Sequence, residues 1–380
     1  MTANFPRNVQ DYMDRLFALA DDPSKLFASE GELKAALFAS MKSKAAGWKQ
    51  PIQCMFRGCQ SPSISKSHTV QRTGPITGLI EKGHVLTPHF SDGELQLKRV
   101  GASEASTFPG FCSKHELIFG EFERKSLIDT AVAVELQVFR TICREIRRKR
   151  YDVEWLERTY SEMMLRFETK AREEARTHDV IFEGAQIEDG VFGVAQTHIL
   201  TGNRALSSLE SLYDQHFPTI ERTGESKLYI ASIQGDILIP VALSGLIDYE
   251  VESRSVTLVC GVIPQSQGSL IYLAGSDKDK DVINRYIRGL KTDLSLIDLV
   301  EAWMVFHTDH WFLRPSVWDP IPADRKSKIL EDMFDLSPHG PNYHRSIFDE
   351  LRIKALQIPH PVVLSPEQTQ ILNYQRAKMA

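Results

Sequence analysis

Nowhere does the chain hold a run of roughly eighteen or more apolar residues, so no transmembrane helix is expected. The opening stretch MTANFPRNVQDYMDRLF has no basic segment leading into an apolar one, so no secretory leader is expected. Both absences point to a reducing, cytoplasmic setting and to no membrane partner. There, paired cysteines are more often metal ligands than disulfides. The phosphate-cradling loops G-x-x-x-x-G-K-[ST] and G-x-G-x-x-G are missing. So is the G-x-S-x-G elbow, since the serine of ALSGLID lacks its flanking glycine. Nucleotide hydrolysis and serine-hydrolase chemistry therefore find no support. There is no internal repeat and no low-complexity segment.

Acidic residues are missing from one stretch. Between Glu32 and Glu81 there is none, while Lys34, Lys42, Lys44, Lys49, Arg57, Lys66 and Arg72 fall inside it. In a chain of formal net charge -5, such segregation is the footprint expected for contact with a phosphate backbone. A second basic run, CREIRRKR, holds Arg144, Arg147, Arg148, Lys149 and Arg150. It is read either as a helix C-terminus favoured by the macrodipole or as part of a nucleic-acid surface. Arg57, Lys66, Arg72, Arg147, Arg148 and Arg150 are the candidate nucleic-acid contacts, with no preference between DNA and RNA.

At 380 residues, 42% of them apolar, the chain has room for two or three domains with a sizeable core. Residues 8–20 and 29–46 read as helices. Ser29 and Glu32 form a capping box, Leu33, Leu37 and Met41 recur at helical spacing, and Gly47 closes the second helix. Residues 121–178 are strongly helical. Leu127, Val134, Val138 and Ile142, then Trp155, Tyr160, Met164 and Phe167, suggest a helical hairpin turning near Tyr151 and Asp152, with a face available for oligomerisation. Residues 180–275 turn to β patterns, best read as an antiparallel meander. Helix returns over 279–307, with Asp293 or Ser295 near a helix start, and again near 324–334 and 342–356. The resulting fold class is α+β: N-terminal helices (1–48), a zinc module (49–125), a helical hairpin (126–178), an antiparallel sheet with flanking helices (179–312) and a proline-containing tail (313–380).

Cysteine is scarce, and its placement is informative. Cys143 in a helical pattern and Cys260 in SVTLVCGVI read as small buried apolar residues. Cys54, Cys59 and Cys112 share one region rich in Pro, Gly, Ser and Thr, whose thin core suits a metal-held module. Zinc favours four thiolate and imidazole ligands in a tetrahedron. Cys54-x4-Cys59 and Cys112-x2-His115 supply two local pairs, with Gly58 where a knuckle needs a permissive backbone. A knuckle followed by a ligand pair at a helix start is a treble-clef layout. The 52-residue gap between the pairs would then hold an insertion, the hairpin GLIEKGHVLTPHFSDGELQLKRVG. The alternative is a set of unrelated free thiols.

CMFRGCQSPSISKSHTVQR, with FCSKHELIF downstream, resembles the HNH (ββα-metal) nucleases over about 70 residues. It is also similar to uncharacterised bacterial proteins, some of which lie among antiviral defence genes. The resemblance implies that His68 is a general base activating water against a phosphodiester, and that Glu116 ligates a catalytic Mg2+ or Mn2+ beside a structural Zn2+. Ser67 stands where the family places an acidic or amide residue, and no asparagine lies between Cys54 and His115. On its own residue type, His68 is also readable as a structural strand histidine or a spare zinc ligand. His84 and His89 read as turn or strand-edge residues. His307, Asp309 and His310, beside Trp311 and Trp318, read as a buried helix end. The functional expectation is a zinc-binding, nucleic-acid-associated protein that, on this resemblance, is a metal-dependent HNH-like endonuclease of bacterial antiviral defence. Its rival is a non-catalytic interaction or regulatory protein with a purely structural zinc.

Overall fold

The computed structural model describes residues 6–91, 94–184, 190–251, 254–335, 337, 339–356 and 365–379. Its elements are α1 (Arg7–Asp21), α2 (Glu30–Trp48), β1 (Ser67–His68), β2 (His84–Ser91), β3 (Glu94–Gly101), β4 (Thr107–Phe108), α3 (Ser113–Glu116), α4 (Gly120–Lys125), α5 (Ala131–Thr177), α6 (Gly190–Glu221), β5 (Leu228–Gly235), β6 (Val241–Val251), β7 (Arg254–Gln265), β8 (Gly268–Ser276), α7 (Lys280–Ile287), α8 (Asp293–Ala302), β9 (Trp311–Leu313), α9 (Pro315–Trp318), α10 (Ala323–Asp332), α11 (Asp349–Leu356) and α12 (Pro366–Met379). The chain is α+β with antiparallel sheets, as expected. It divides into two units, and α5 and α6 contribute to both.

One unit comprises Met1–Gln50 and Ile146–Ser208. Its core gathers Leu26, Phe27, Phe167, Ala171 and Phe192. At the start of α2 the Ser29 hydroxyl accepts the Glu32 amide at 3.2 Å, while the Glu32 carboxylate reaches back to the amide of Ala28 at 2.7 Å. This is a capping box displaced by one residue. The apolar stripe of α2 is only partly covered. Leu33 packs on the core, whereas Leu37 and Met41 are 55% and 46% exposed.

The hairpin expected within 126–178 is not formed, because α5 runs unbroken through Tyr151 and Asp152. CREIRRKRYDVEWL contains neither glycine nor proline, so nothing in it stops a helix. Within the turn, Arg148 pairs with Asp152 at 3.7 Å, and the Tyr151 hydroxyl donates to the Lys44 carbonyl of α2 at 2.5 Å. The partner of α5 is α6, where Gln196 bonds to Tyr160 at 2.6 Å and Phe192 packs edge-on against Phe167. The oligomerisation expected of the hairpin thus loses its hairpin.

The other unit comprises Pro51–Glu145 and Leu209–Ala380. Its main sheet has the order β3-β2-β9-β6-β7-β8-β5. Within the hairpin expected over 78–101, the paired strands run from His84↔Gly101 to Ser91↔Glu94. It joins the C-terminal strands, because Leu86 of β2 pairs with Leu313 of β9. A large apolar core of Leu258, Cys260, Val262, Trp303 and Trp311 lies against this sheet, and α8 starts at Thr292, whose hydroxyl accepts the Ser295 amide at 3.3 Å. The β pattern expected from residue 180 begins only at Leu228. Before it stands α6, with Leu209, Leu212 and His216 buried at helical spacing. His307 closes the turn Trp303–His307 that follows α8, Asp309 and His310 lie between it and β9, and the three gather no ligand cluster among the described residues.

Candidate metal centre

Four ligand atoms converge in the segment 51–125. Cys54, Cys59, Cys112 and His115 present Sγ, Sγ, Sγ and a ring nitrogen within 4.8 Å of one another, the only such cluster among the described residues. The His115 Nδ1 lies 3.4 Å from Cys54 Sγ and 3.4 Å from Cys112 Sγ, and Cys59 Sγ lies 3.9 Å from Cys112 Sγ. A zinc tetrahedron with Zn–S of about 2.3 Å and Zn–N of about 2.05 Å has S···S edges of about 3.8 Å and S···N edges of about 3.6 Å. The observed edges fit. The cysteines are free, so no disulfide competes for the sulfurs.

The backbone explains why the four meet. Gly58 takes φ +78° between the cysteines, and the Cys59 amide bonds back to the Phe56 carbonyl at 3.1 Å. That is a tight knuckle of the kind glycine permits. The Met55 amide reaches the Gly110 carbonyl at 2.9 Å and the Ile64 amide reaches Phe111 at 2.8 Å, stitching the two ligand pairs together across the insertion. Cys112 caps α3 and its amide donates to Cys54 Sγ at 3.3 Å, a contact that favours thiolate. The Phe56 ring stacks on His115 at 4.1 Å between centroids and meets Phe217 edge-on at 5.0 Å, which fixes the imidazole plane. Burial pushes the Cys54 thiol up to about 11, while amide bonding from Ser61 lowers Cys59. A cation is what offsets such burial of sulfur.

Beside the centre, β1 pairs with β4 as Ser67↔Phe108 and His68↔Thr107. His68 is part-buried, and its Nδ1 lies 3.1 Å from the Ala105 carbonyl. Because a carbonyl only accepts, Nδ1 carries the proton and Nε2 keeps its lone pair. Burial, with Arg140 and Arg72 nearby, holds His68 below the usual histidine range. Glu116 joins no ligand cluster among the described residues, and one of its two carboxylate oxygens is engaged. Its carboxylate receives Arg140 Nη2 at 2.8 Å, and the same guanidinium reaches Glu123 at 2.6 Å. Burial raises the Glu116 carboxyl, and Arg140 opposes that shift.

Arg140 is fully buried, stacked 4.0 Å over Phe119, and the sequence reading missed it. It lies on a buried polar stripe of α5 with Gln137 and Thr141. The i, i+3, i+4 spacing was legible, but polar residues in a helix pattern read by default as solvent-facing. Five buried polar atoms here lack a hydrogen-bond partner: Thr69 Oγ1, Glu116 Oε2, Gln137 Oε1 and Arg140 Nε and Nη1.

Arg57 pairs with Asp214 and lies 4.8 Å over Phe217. Lys66 pairs with Glu104. Arg147 is buried, 4.7 Å over Tyr151, and Arg148 pairs with Asp152. Arg72 and Arg150 are exposed. His84 and His89 both lie on β2, and His84 Nδ1 is 2.8 Å from the Lys82 carbonyl. No helix among the described residues is long and apolar enough to cross a membrane. No protein-family model, no curated protein and no solved structure matches the chain.

Proposed function

We propose that Cys54, Cys59, Cys112 and His115 bind one zinc ion, and that the ion organises a treble-clef unit: knuckle, β1–β4 pair and the helix opened by Cys112. The observation that carries this reading is the ligand quartet, whose edges match a zinc tetrahedron. On this unit we place an HNH-like hydrolase activity toward nucleic-acid phosphodiesters, with His68 as general base. Support comes from the Ala105 carbonyl, which sets the tautomer, and from the lowered basicity, which leaves Nε2 unprotonated near neutral pH. Zinc, when bound, supplies rigidity to this scaffold. Arg140 holds Glu116, so Glu116 is a positioning residue here, and no step passes through a magnesium or manganese ion. A place in bacterial antiviral defence belongs to the same proposal and rests on resemblance alone.

A second reading keeps the zinc and drops the catalysis, leaving an interaction or regulatory protein. It is favoured by the locked Glu116 and by the engagement of Arg57, Lys66, Arg147 and Arg148 within the chain. Metal analysis combined with cleavage of labelled single-stranded DNA, duplex DNA and RNA separates the two. The nuclease reading expects about one zinc per chain and cleavage abolished by His68→Ala with the zinc retained. Full zinc without cleavage by either protein leaves the second reading, and a zinc-free protein removes both.

A further inference from the structure

The two edges of the seven-stranded sheet are finished differently. β3 carries Glu94, Lys98 and Arg99, charges of the kind that discourage edge pairing. At the other edge, β5 reads LYIASIQG and carries neither a charge nor a proline. Its ladder to β8 runs unbroken from Leu228↔Ser276 to Gly235↔Ser269, so no bulge turns the edge away. The bond from the Asp277 amide to the Lys227 carbonyl, at 2.9 Å, continues that ladder and sets its phase. Hydrogen-bonded pairs alternate in an antiparallel ladder. Tyr229, Ala231 and Ile233 therefore bond to β8, and the main-chain groups of Ile230, Ser232 and Gln234 point outward. β5 pairs with no other strand among the described residues.

A cavity of ≈ 860 Å³ adjoins this edge, lined by Ile230, Ser232 and Gln234 and by the start of α5. Three of its lining side chains are carboxylates, Asp129, Glu135 and Asp236, and none is lysine, arginine or histidine. Burial raises the Glu135 carboxyl, a cost that a cation brought into the cavity would relieve.

We propose that β5 is a docking edge for an extended basic segment of another protein, which adds as an outer strand and sets a lysine or arginine into the acidic cavity. Strand addition takes affinity from main-chain hydrogen bonds and specificity from alternate side chains entering pockets. Charge selects the occupant. A second copy joined through β5 would bring two sets of Asp129, Glu135 and Asp236 together, and like charges disfavour it. The chain's own undescribed residues include no lysine or arginine.

The test uses the full chain and two fluorescein-labelled ten-residue peptides, one alternating threonine with lysine and one alternating threonine with glutamate. Fluorescence anisotropy should show the lysine peptide binding at least about tenfold more tightly. Binding should protect the amides of Ile230, Ser232 and Gln234 from hydrogen exchange. Ser232→Pro removes one outward donor and leaves the β8 ladder intact, so it should weaken binding about tenfold at an unchanged melting temperature. The triple change Asp129→Asn, Glu135→Gln, Asp236→Asn should erase the preference between peptides. Equal binding of the two peptides overturns the proposal. So does lysine-peptide binding without protection of the β5 amides, which means diffuse attraction. A wild-type dimer made monomeric by Ser232→Pro also overturns it, since the occupant is then a second copy.

Discussion

Residues 51–80 and 102–125, on either side of the β2–β3 hairpin, and the strands β5–β8 belong to one compact unit but are held by different means. β1 and β4 are two residues long, whereas β5–β8 run for eight to twelve and pair along their length. The strands bury a broad apolar core. The metal-site segment gathers instead around three sulfurs, one imidazole and a ring cluster in which Phe111 meets Phe119 at 5.0 Å. A stretch short of apolar residues cannot offset its conformational entropy by burial alone, and a metal is the usual remedy. Removing the ligands should therefore separate the two regions.

The largest effect is expected from Cys112→Ser or from a strong chelator. Structural zinc contributes about 10–16 kcal/mol of apparent binding free energy in small zinc modules. Hydrogen exchange should rise across 54–76 and 105–125 while β6–β8 stay protected. Uniform loss of protection would mean that the two regions fold as one and that the comparison is mistaken.

The second prediction breaks the sheet region by its own means. Arg352 is fully buried against Glu301 and Asp298, and Glu301 also accepts the amides of Ile347 at 2.7 Å and Phe348 at 2.9 Å. Arg352→Met strands a buried carboxylate and should cost about 3–5 kcal/mol in urea denaturation. The double change Arg352→Met, Glu301→Gln should recover part of the loss, and zinc content should stay the same in both variants.

This contrast also governs what could be read from the sequence. The four converging residues were legible as a cluster because each pair is local and Gly58 marks the knuckle. The 84–101 hairpin was legible from its alternation and turn residues. That it joins β9 was not, because Leu86↔Leu313 is a pairing between distant segments with no local mark. The expected break at Tyr151 failed for a physical reason: Lys44 and Trp48 of α2 hold that tyrosine against an unbroken helix. Glu116 was expected to face a metal. Its partner Arg140 lies 24 residues away on another helix, beyond the reach of motif reading.

A third prediction concerns protons on the sheet side. Burial, with His339 nearby, depresses His307 to about 4. The unfolded chain then binds this proton more readily than the folded one, so stability is complete above the ordinary histidine value near 6.5 and falls as pH drops toward 4. At pH 5 the loss should be about 2 kcal/mol, and His307→Asn should flatten the urea midpoint between pH 7 and 5. An unchanged slope in that variant would assign the proton uptake to another histidine.

The smallest effect is expected at the knuckle. At Gly58 the backbone sits at φ +78°, and a Cβ there would meet no atom within 4 Å. Gly58→Ala therefore carries only the left-handed backbone cost, about 1 kcal/mol, with no packing contribution. If zinc creates the knuckle, that cost appears when metal binds: affinity in a chelator competition should fall about fivefold, while the urea midpoint of the metal-free protein stays in place. If the knuckle is formed without metal, both forms lose the same stability and the affinity does not change. The two results place the knuckle either with the metal or with the sheet, because an alanine without a steric clash reports only on when its backbone is fixed.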